Sequence, residues 1–278
     1  MLCRPVSVRV ETRVRSVSAI RGMASSEGSL QRNYEQAFPE RTMAVDKSPE
    51  RVRSMFGEIA GRYDLMNHVL SLNVDRYWRW RTVRSVGREL DGPVLDLCTG
   101  TGDLALAFWR SAPQSASVVG ADFCRPMLVL GRDKSAKAGA NGQVRFVEAD
   151  ACRLPFPDNS FQVVSVAFGL RNVVDTDLGL REMVRVCRPG GRVAVLEASL
   201  PNARPLRVVY GWYFRHVLPR LGQLLARNRH DAYNYLPDSV GEFPSGEALL
   251  ERMRAAGLST ARHHSLTFGL AALYIGGK

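Results

Sequence analysis

The sequence predicts a doubly wound α/β domain, on three observations. Short β-rich runs alternate with helical patterns from Val94 onward, at a spacing that suits a parallel sheet with crossover helices. The first of these runs ends in a glycine turn that leads into a helix. Acidic residues then stand at the ends of three successive runs, at Asp96, Asp122 and Asp150.

The elements follow in chain order. Residues 1–22 carry five arginines, no lysine and one acid, with no continuous apolar centre, so they form no secretory signal. An organellar transit peptide, a disordered extension and a start codon upstream of Met23 or Met43 all fit this segment, and residues 1–45 are set apart as an extension. Residues 46–278 are expected to form one domain. Residues 50–90 read as helices with a basic, aromatic middle, Arg76-Tyr77-Trp78-Arg79-Trp80-Arg81. Strands are expected at Val94–Cys98, Ser117–Asp122, Val144–Glu148, Phe161–Phe168 and Arg192–Ala198. Helices are expected at Leu104–Arg110, Pro126–Ala138 and Asp175–Cys187, where Leu178, Met183 and Val186 recur at helical spacing. Residues 200–240 place Leu206, Tyr210, Tyr213, Val217, Leu221 and Leu224 three or four apart. This region and residues 50–90 are expected to cover the carboxyl ends of the strands, where open α/β sheets bind ligands.

Composition narrows the function. With 278 residues and 45% hydrophobic content the chain can fill a core, which excludes a disordered protein. Its apolar stretches fall far short of the ~18 residues of a membrane span. Five scattered cysteines form no CxxC pair and suit a reducing cytoplasm. The net charge of +11 invites a nucleic-acid or anionic-membrane partner, but residues 1–22 supply +4 of it and leave +7 for the rest.

The most informative stretch is Val94-Leu95-Asp96-Leu97-Cys98-Thr99-Gly100-Thr101-Gly102-Asp103. Gly100 and Gly102 let a ligand approach the backbone closely. With Ala105 the spacing also satisfies GxGxxG/A, and Asp122 lies 20 residues past Gly102, so a dinucleotide site competes. Charge separates the two readings. A dinucleotide puts an anionic pyrophosphate on the turn, whereas S-adenosyl-L-methionine puts an ammonium and a sulfonium there. Asp96 and Asp103 flank the loop; at an effective dielectric of 20 and about 6 Å, one charge pair is worth roughly 3 kcal/mol, attractive to the ammonium and repulsive to pyrophosphate. Asp96 can equally be a capping or turn carboxylate. Asp122 is expected to accept the ribose hydroxyls and Asp150 an adenine amino group, with Ala151 and its apolar neighbours over the ring; either acid can instead cap the following helix.

Across residues 50–278 the chain resembles a known family. The resemblance rests on Ala60-Gly61-Arg62-Tyr63-Asp64-Leu65-Met66-Asn67, the loop Asp96–Asp103, Leu154-Pro155-Phe156-Pro157-Asp158-Asn159-Ser160-Phe161, Phe168-Gly169-Leu170-Arg171-Asn172-Val173, Arg188-Pro189-Gly190-Gly191 and Leu218-Pro219-Arg220-Leu221-Gly222. These look like the C-methyltransferases of menaquinone and ubiquinone biosynthesis. The resemblance implies a class I S-adenosylmethionine-dependent methyltransferase with a seven-stranded, mostly parallel sheet and a helical cover. It implies donor contacts at Thr101, Asp122, Asp150 and Ala151. Where many relatives carry a serine before the FGLRN segment this chain has Ala167, so Ser165 is considered as a substitute hydroxyl.

Methylating a hydroquinone ring carbon calls for a phenolate, and Arg171 and Asn172 are expected to stabilise it by ionic and neutral hydrogen bonds. Arg171 can instead pair with an acid such as Asp175 and only shape the loop. Tyr63, Asp64 and Asn67, within one helical turn, can place a hydroxyl, a carboxylate and an amide over the ring, or pin the helix to the sheet. His68 is not assigned a role. His263 and His264 fall in an expected strand, face opposite sides and cannot chelate together, and no metal is expected. The expected acceptor is a polyprenylated quinol, demethylmenaquinol first and the ubiquinone-pathway benzoquinol second. Its tail suggests peripheral contact with the inner face of the cytoplasmic membrane through residues 205–229. A nucleic-acid partner is not expected, because no added RNA-binding module or Pro-Pro-Tyr motif is present. A binding module without chemistry is the remaining alternative, and a homodimer is the expected assembly.

Overall fold

The computed structural model describes residues 45–86, 90–111, 117–140, 142–201, 203–213 and 232–278. The extension at residues 1–44 and the Leu218–Gly222 segment lie outside the described residues. Residues 42–278 form one compact unit, to which all that follows belongs.

Among the described residues, three α-helices precede the sheet: α1 (Pro49–Ile59), α2 (Tyr63–Leu70) and α3 (Val74–Val86). The alternating part follows as β1 (Val94–Leu97), α4 (Asp103–Ser111), β2 (Val118–Asp122), α5 (Arg125–Lys137), β3 (Val144–Glu148), β4 (Phe161–Ala167), α6 (Thr176–Val186) and β5 (Cys187–Ala198). The chain continues through α7 (Arg204–Trp212), α8 (Ala232–Glu242), α9 (Glu247–Ala255), β6 (Thr260–Leu266) and β7 (Ala271–Gly277). The seven strands form one sheet in the order β3-β2-β1-β4-β5-β7-β6. The first five are parallel, and β7 is antiparallel to both β5 and β6. This is the mostly parallel seven-stranded sheet that the resemblance implies.

Both faces of the sheet are covered, which is why β1 and β2 are buried at every position and read as unbroken apolar runs. Leu95, Leu97, Val164 and Val195 face α6 and α9, while Val94, Val163, Ala194 and Leu196 face α3 and α4. Because β1 lies between β2 and β4, the crossovers leave it in opposite directions. The crevice that this reversal opens sits at the carboxyl ends of β1 and β4.

Gly169 closes that crevice tightly. A β-carbon there would lie 2.3 Å from the Cys98 Cβ, so only glycine lets the ends of β1 and β4 meet, with Cys98 and Phe168 both at positive φ (48° and 58°). The fifth strand begins earlier than the sequence suggests, at Cys187, because the Pro189-Gly190-Gly191 turn is taken up as an irregularity in its pairing with β4. His263 and His264 do lie in a strand, β6, where the His263 ring stacks on Tyr274 at 5.5 Å.

Candidate active site

Two adjoining clefts open at the carboxyl ends of the parallel strands. The larger, about 570 Å³, is lined by Leu97, Cys98 and Gly100 after β1, by Asp122 at the end of β2, by Glu148–Ala151 after β3, and by Gly169 and Asn172 after β4. This volume falls within the roughly 300–1,000 Å³ of ligand pockets. The smaller, about 160 Å³, is lined mainly by apolar side chains including Met55, Ile59, Met66, Trp78, Leu236 and Leu270, with Arg171, Tyr235, Asp75 and Arg79 among them. Phe56, Tyr63 and Phe168 line both, so the clefts share a wall. Of the two segments expected to cover the strand ends, α1, α2 and α3 of the first and α8 at the end of the second line these clefts.

Asp122 ties the turns after β1 and β2 together. Its carboxylate accepts the Gly100 and Cys124 backbone N–H groups, each at 2.8 Å. Burial pushes its pKa up, against the lowering by those donors. Asp150 lines the same cleft and accepts the Cys152 N–H at 2.8 Å, and Ala151 stands beside it. Gly100 adopts φ +55°, and a β-carbon there would approach the Tyr63 ring to 3.7 Å. Asn172 Nδ2 donates to the Phe168 carbonyl at 3.5 Å, while its buried Oδ1 has no partner among the described residues.

Arg171 lies in the smaller cleft at 7% exposure and pairs with Glu197, not with Asp175. Its Nη1 donates to Glu197 Oε2 at 2.8 Å and to the Phe168 carbonyl at 2.5 Å, and its backbone N–H donates to Glu197 Oε1 at 3.2 Å. Burial would lower the Arg171 pKa, but Glu197 outweighs it and keeps the guanidinium charged. Asp175 instead caps α6, accepting the Leu178 N–H at 2.9 Å.

Several expected site residues stand elsewhere. Asp96 is buried beneath the glycine turn at 1% exposure, where it accepts the Thr99 and Ser165 hydroxyls at 2.7 and 2.8 Å. Burial pushes its pKa up to about 7 despite those two donors. The Ser165 hydroxyl is therefore engaged below the turn and cannot replace the missing serine at 167. Thr101 Oγ1 donates to Asp64 at 2.5 Å and accepts Lys134 Nζ at 2.9 Å, and Lys134 also pairs with Asp64 and, at 2.7 Å, with Asp103. Asp64 thus pins α2 to α5, the second of the two roles expected for it, and Asp64, Thr101 and Gly102 lie outside the lining of either cleft. Gly102 instead gives room to Phe146, whose ring a β-carbon would approach to 2.8 Å.

Asp103 is matched by Arg79 and Lys134, which together outweigh burial and hold its carboxyl below the ordinary range. The charged side chains that line the larger cleft are therefore Asp122, Glu148, Asp150 and Asp175, with Lys47 and Arg53 on its α1 side, and not Asp96 or Asp103. Among the described residues, His68, Asp75 and Asp103 bring three potential metal-ligand atoms within 4.8 Å, but Arg79 already bridges the two carboxylates.

Asp96 gives a pH prediction. Its folded pKa, about 7, exceeds the ordinary 3.8. Between those values the folded chain holds a proton that the unfolded chain has released, so stability falls as pH rises, by an order of 1 kcal/mol per unit. Asp96→Asn cannot ionise. Denaturant unfolding at pH 5 and pH 8 should show a smaller loss for the variant than for the parent; identical losses would remove Asp96 as the cause.

Sequence reasoning missed Glu197, Tyr235 and Lys134. Glu197 had a signal, a carboxylate ending the buried apolar run Val193–Leu196, the same signal that marks Asp122. Tyr235 and Lys134 had none, since tertiary packing alone brings their helices to the site.

The sheet order, the glycine turn at the reversal point and the acid-lined cleft beside it define a class I S-adenosylmethionine-dependent methyltransferase. The chain matches the ubiE/COQ5 methyltransferase family over residues 43–278 and belongs to it. It is 50% identical over 224 residues to a demethylmenaquinone methyltransferase from Thermus thermophilus, covering 81% of this chain and 100% of that one. It is 46% identical over 229 residues to the ubiquinone/menaquinone biosynthesis C-methyltransferase UbiE of Geobacter sulfurreducens, covering 82% of this chain and 89% of the relative. A crystal structure of a SAM-dependent methyltransferase from Thermotoga maritima shares the fold, with a TM-score of 0.55 at 18% identity over 81% of this chain and 98% of that one.

Proposed function

We propose that this protein methylates a ring carbon of demethylmenaquinol, giving menaquinol, with S-adenosyl-L-methionine as donor. The observation that carries the reading is the pair of clefts sharing Tyr63 and Phe168, one acid-lined and one apolar with a buried guanidinium. When bound, the donor supplies an electrophilic methyl group on a sulfonium, a good leaving group. Asp122, Asp150, Ala151 and Gly100 would hold it; Asn172, expected beside Arg171 at the phenolate, lines this larger cleft instead, and its unpartnered Oδ1 is an acceptor suited to the ammonium.

Arg171 has the acceptor's part. Loss of a phenolic proton raises electron density on the neighbouring ring carbon; that carbon gains the methyl group and gives up its hydrogen as a proton. A guanidinium held by Glu197 in an apolar cleft stabilises the phenolate more than it would in water. Tyr63, in the shared wall, is placed to keep the ring against the donor cleft, and positioning of this kind supplies much of the catalysis. Met55, Ile59, Met66 and Leu270 suit the ring and the start of a prenyl tail, at about 0.8 kcal/mol per buried methylene.

No helix among the described residues is long and apolar enough to cross a membrane. Val208 and Trp212 on α7 are exposed, as are Tyr77 and Trp80 on α3, and these supply an apolar, aromatic surface for peripheral contact with lipid. Of the segment expected to make this contact, residues 205–213 are described and residues 214–229 are not.

The second acceptor is the demethylated benzoquinol of the ubiquinone pathway, favoured by the Geobacter relative's name, which spans both pathways. The two are separated by methyl transfer from labelled donor to each quinol, chemically reduced and in detergent. Activity on the naphthoquinol supports the menaquinone reading, activity on the benzoquinol alone replaces it, and activity on neither overturns both.

A further inference from the structure

The smaller cleft is lined by two residues that each carry a buried polar atom without a hydrogen-bond partner among the described residues. Tyr235, on α8, is 6% exposed and lines the cleft, and its buried hydroxyl has no hydrogen-bond partner among the described residues. The buried Arg171 Nε, in the same cleft, is likewise without one. A desolvated, unpaired hydroxyl is destabilising, and phenylalanine would fill the same space without that penalty. The helix carrying Tyr235 packs on the Leu170–Asn172 turn, and the phenol stands within electrostatic range of both Arg171 and Glu197. Two unpartnered donors from separate elements therefore belong to residues lining one small, otherwise mostly apolar space.

One polar atom on a ligand would satisfy Arg171 alone. Two donors suit a ring with two oxygens. We propose that Tyr235 donates a hydrogen bond to the second oxygen of the acceptor, and so selects dihydroxylated rings over monophenols. Tyr235 then contacts substrate without taking part in proton removal. The inference rests on the quinol reading of this cleft and names a contact that reading did not require. A site built to bond a hydroxyl rejects the analogue that lacks it, because its own polar group is left unpaired.

The test is Tyr235→Phe in the full chain. The probes are a 2-prenyl-1,4-naphthoquinol as acceptor and the two prenylated 1-naphthols, each lacking one of its hydroxyls, as competitive inhibitors. The variant should show an unchanged or higher Tm without ligands and unchanged affinity for S-adenosylmethionine. Its KM for the quinol should rise about tenfold, the value of one neutral hydrogen bond. One of the two naphthols should inhibit parent and variant equally, since the hydroxyl that Tyr235 meets is absent from it.

An unchanged quinol KM in an active variant overturns the inference. So does a KM rise that comes with a lowered Tm and an equal loss of affinity for both naphthols, which marks a packing role. A parent enzyme that methylates no quinol overturns the proposed function and this inference with it, whereas an active parent indistinguishable from the variant overturns the Tyr235 contact alone.

Discussion

Glu197→Ala should lower turnover on the quinol about 100-fold and destabilise the fold by about 3–5 kcal/mol. The stability term follows from leaving the Arg171 guanidinium buried without its counter-charge, since Glu197 is 1% exposed and cannot be replaced by solvent without opening the cleft. The turnover term follows from geometry. Glu197 holds both the backbone and the side chain of Arg171, and a shift of about 1 Å in a positioning group is enough for a loss of that size. Because the stability term is a large part of a domain's total, about 5–15 kcal/mol, the milder Glu197→Gln is the companion variant. It keeps a hydrogen-bond acceptor, so it should fold and show an intermediate kcat. The double variant Arg171→Met, Glu197→Leu should recover stability, as buried pairs replaced by apolar residues do, and remain inactive. Denaturant unfolding and single-turnover kinetics separate the two effects; a double variant that retained turnover would remove Arg171 from the chemistry.

Asp122→Ala should weaken donor binding about 10- to 100-fold, the value of charge-assisted hydrogen bonds, and Arg171→Ala should leave donor affinity near normal while lowering kcat. Asp122 lines the larger cleft and also fixes the Gly100 and Cys124 N–H groups, so its loss would remove the proposed donor contact and loosen the turn that shapes the cleft. Arg171 lies in the other cleft. Calorimetric titration of the donor into both variants measures the division directly. Equal loss of donor affinity in the two would contradict it.

What the sequence made legible, and what it left hidden, divides along physical lines. The parallel strands were readable because burial on both faces leaves unbroken apolar runs, and Gly100 and Asp122 were readable because a glycine turn and a strand-end acid are local features. Asp150, another strand-end acid, and Arg171, in the segment that carries the resemblance, line the clefts as well. What stays hidden is the partner across from a side chain. Asp96 and Asp103 flank the loop in sequence, but whether a carboxylate lines a cleft depends on what lies across from it, and here Thr99, Ser165, Arg79 and Lys134 lie there. Helical spacing shows the neighbours of Asp64 on α2 but not Lys134, which reaches it from α5. Tyr235 was invisible for the same reason, since nothing near residue 235 in sequence reveals that its helix ends at the cleft of Arg171.

The central claim is that the two clefts bring a ring carbon, not an oxygen or a nucleobase, to the methyl group. The measurement that tests it most directly is the position of the transferred methyl. Demethylmenaquinol methylated with isotope-labelled S-adenosylmethionine should carry the label on a ring carbon, with both ring oxygens still free to oxidise to the quinone. Label on a phenolic oxygen, which would block that oxidation, would contradict the account.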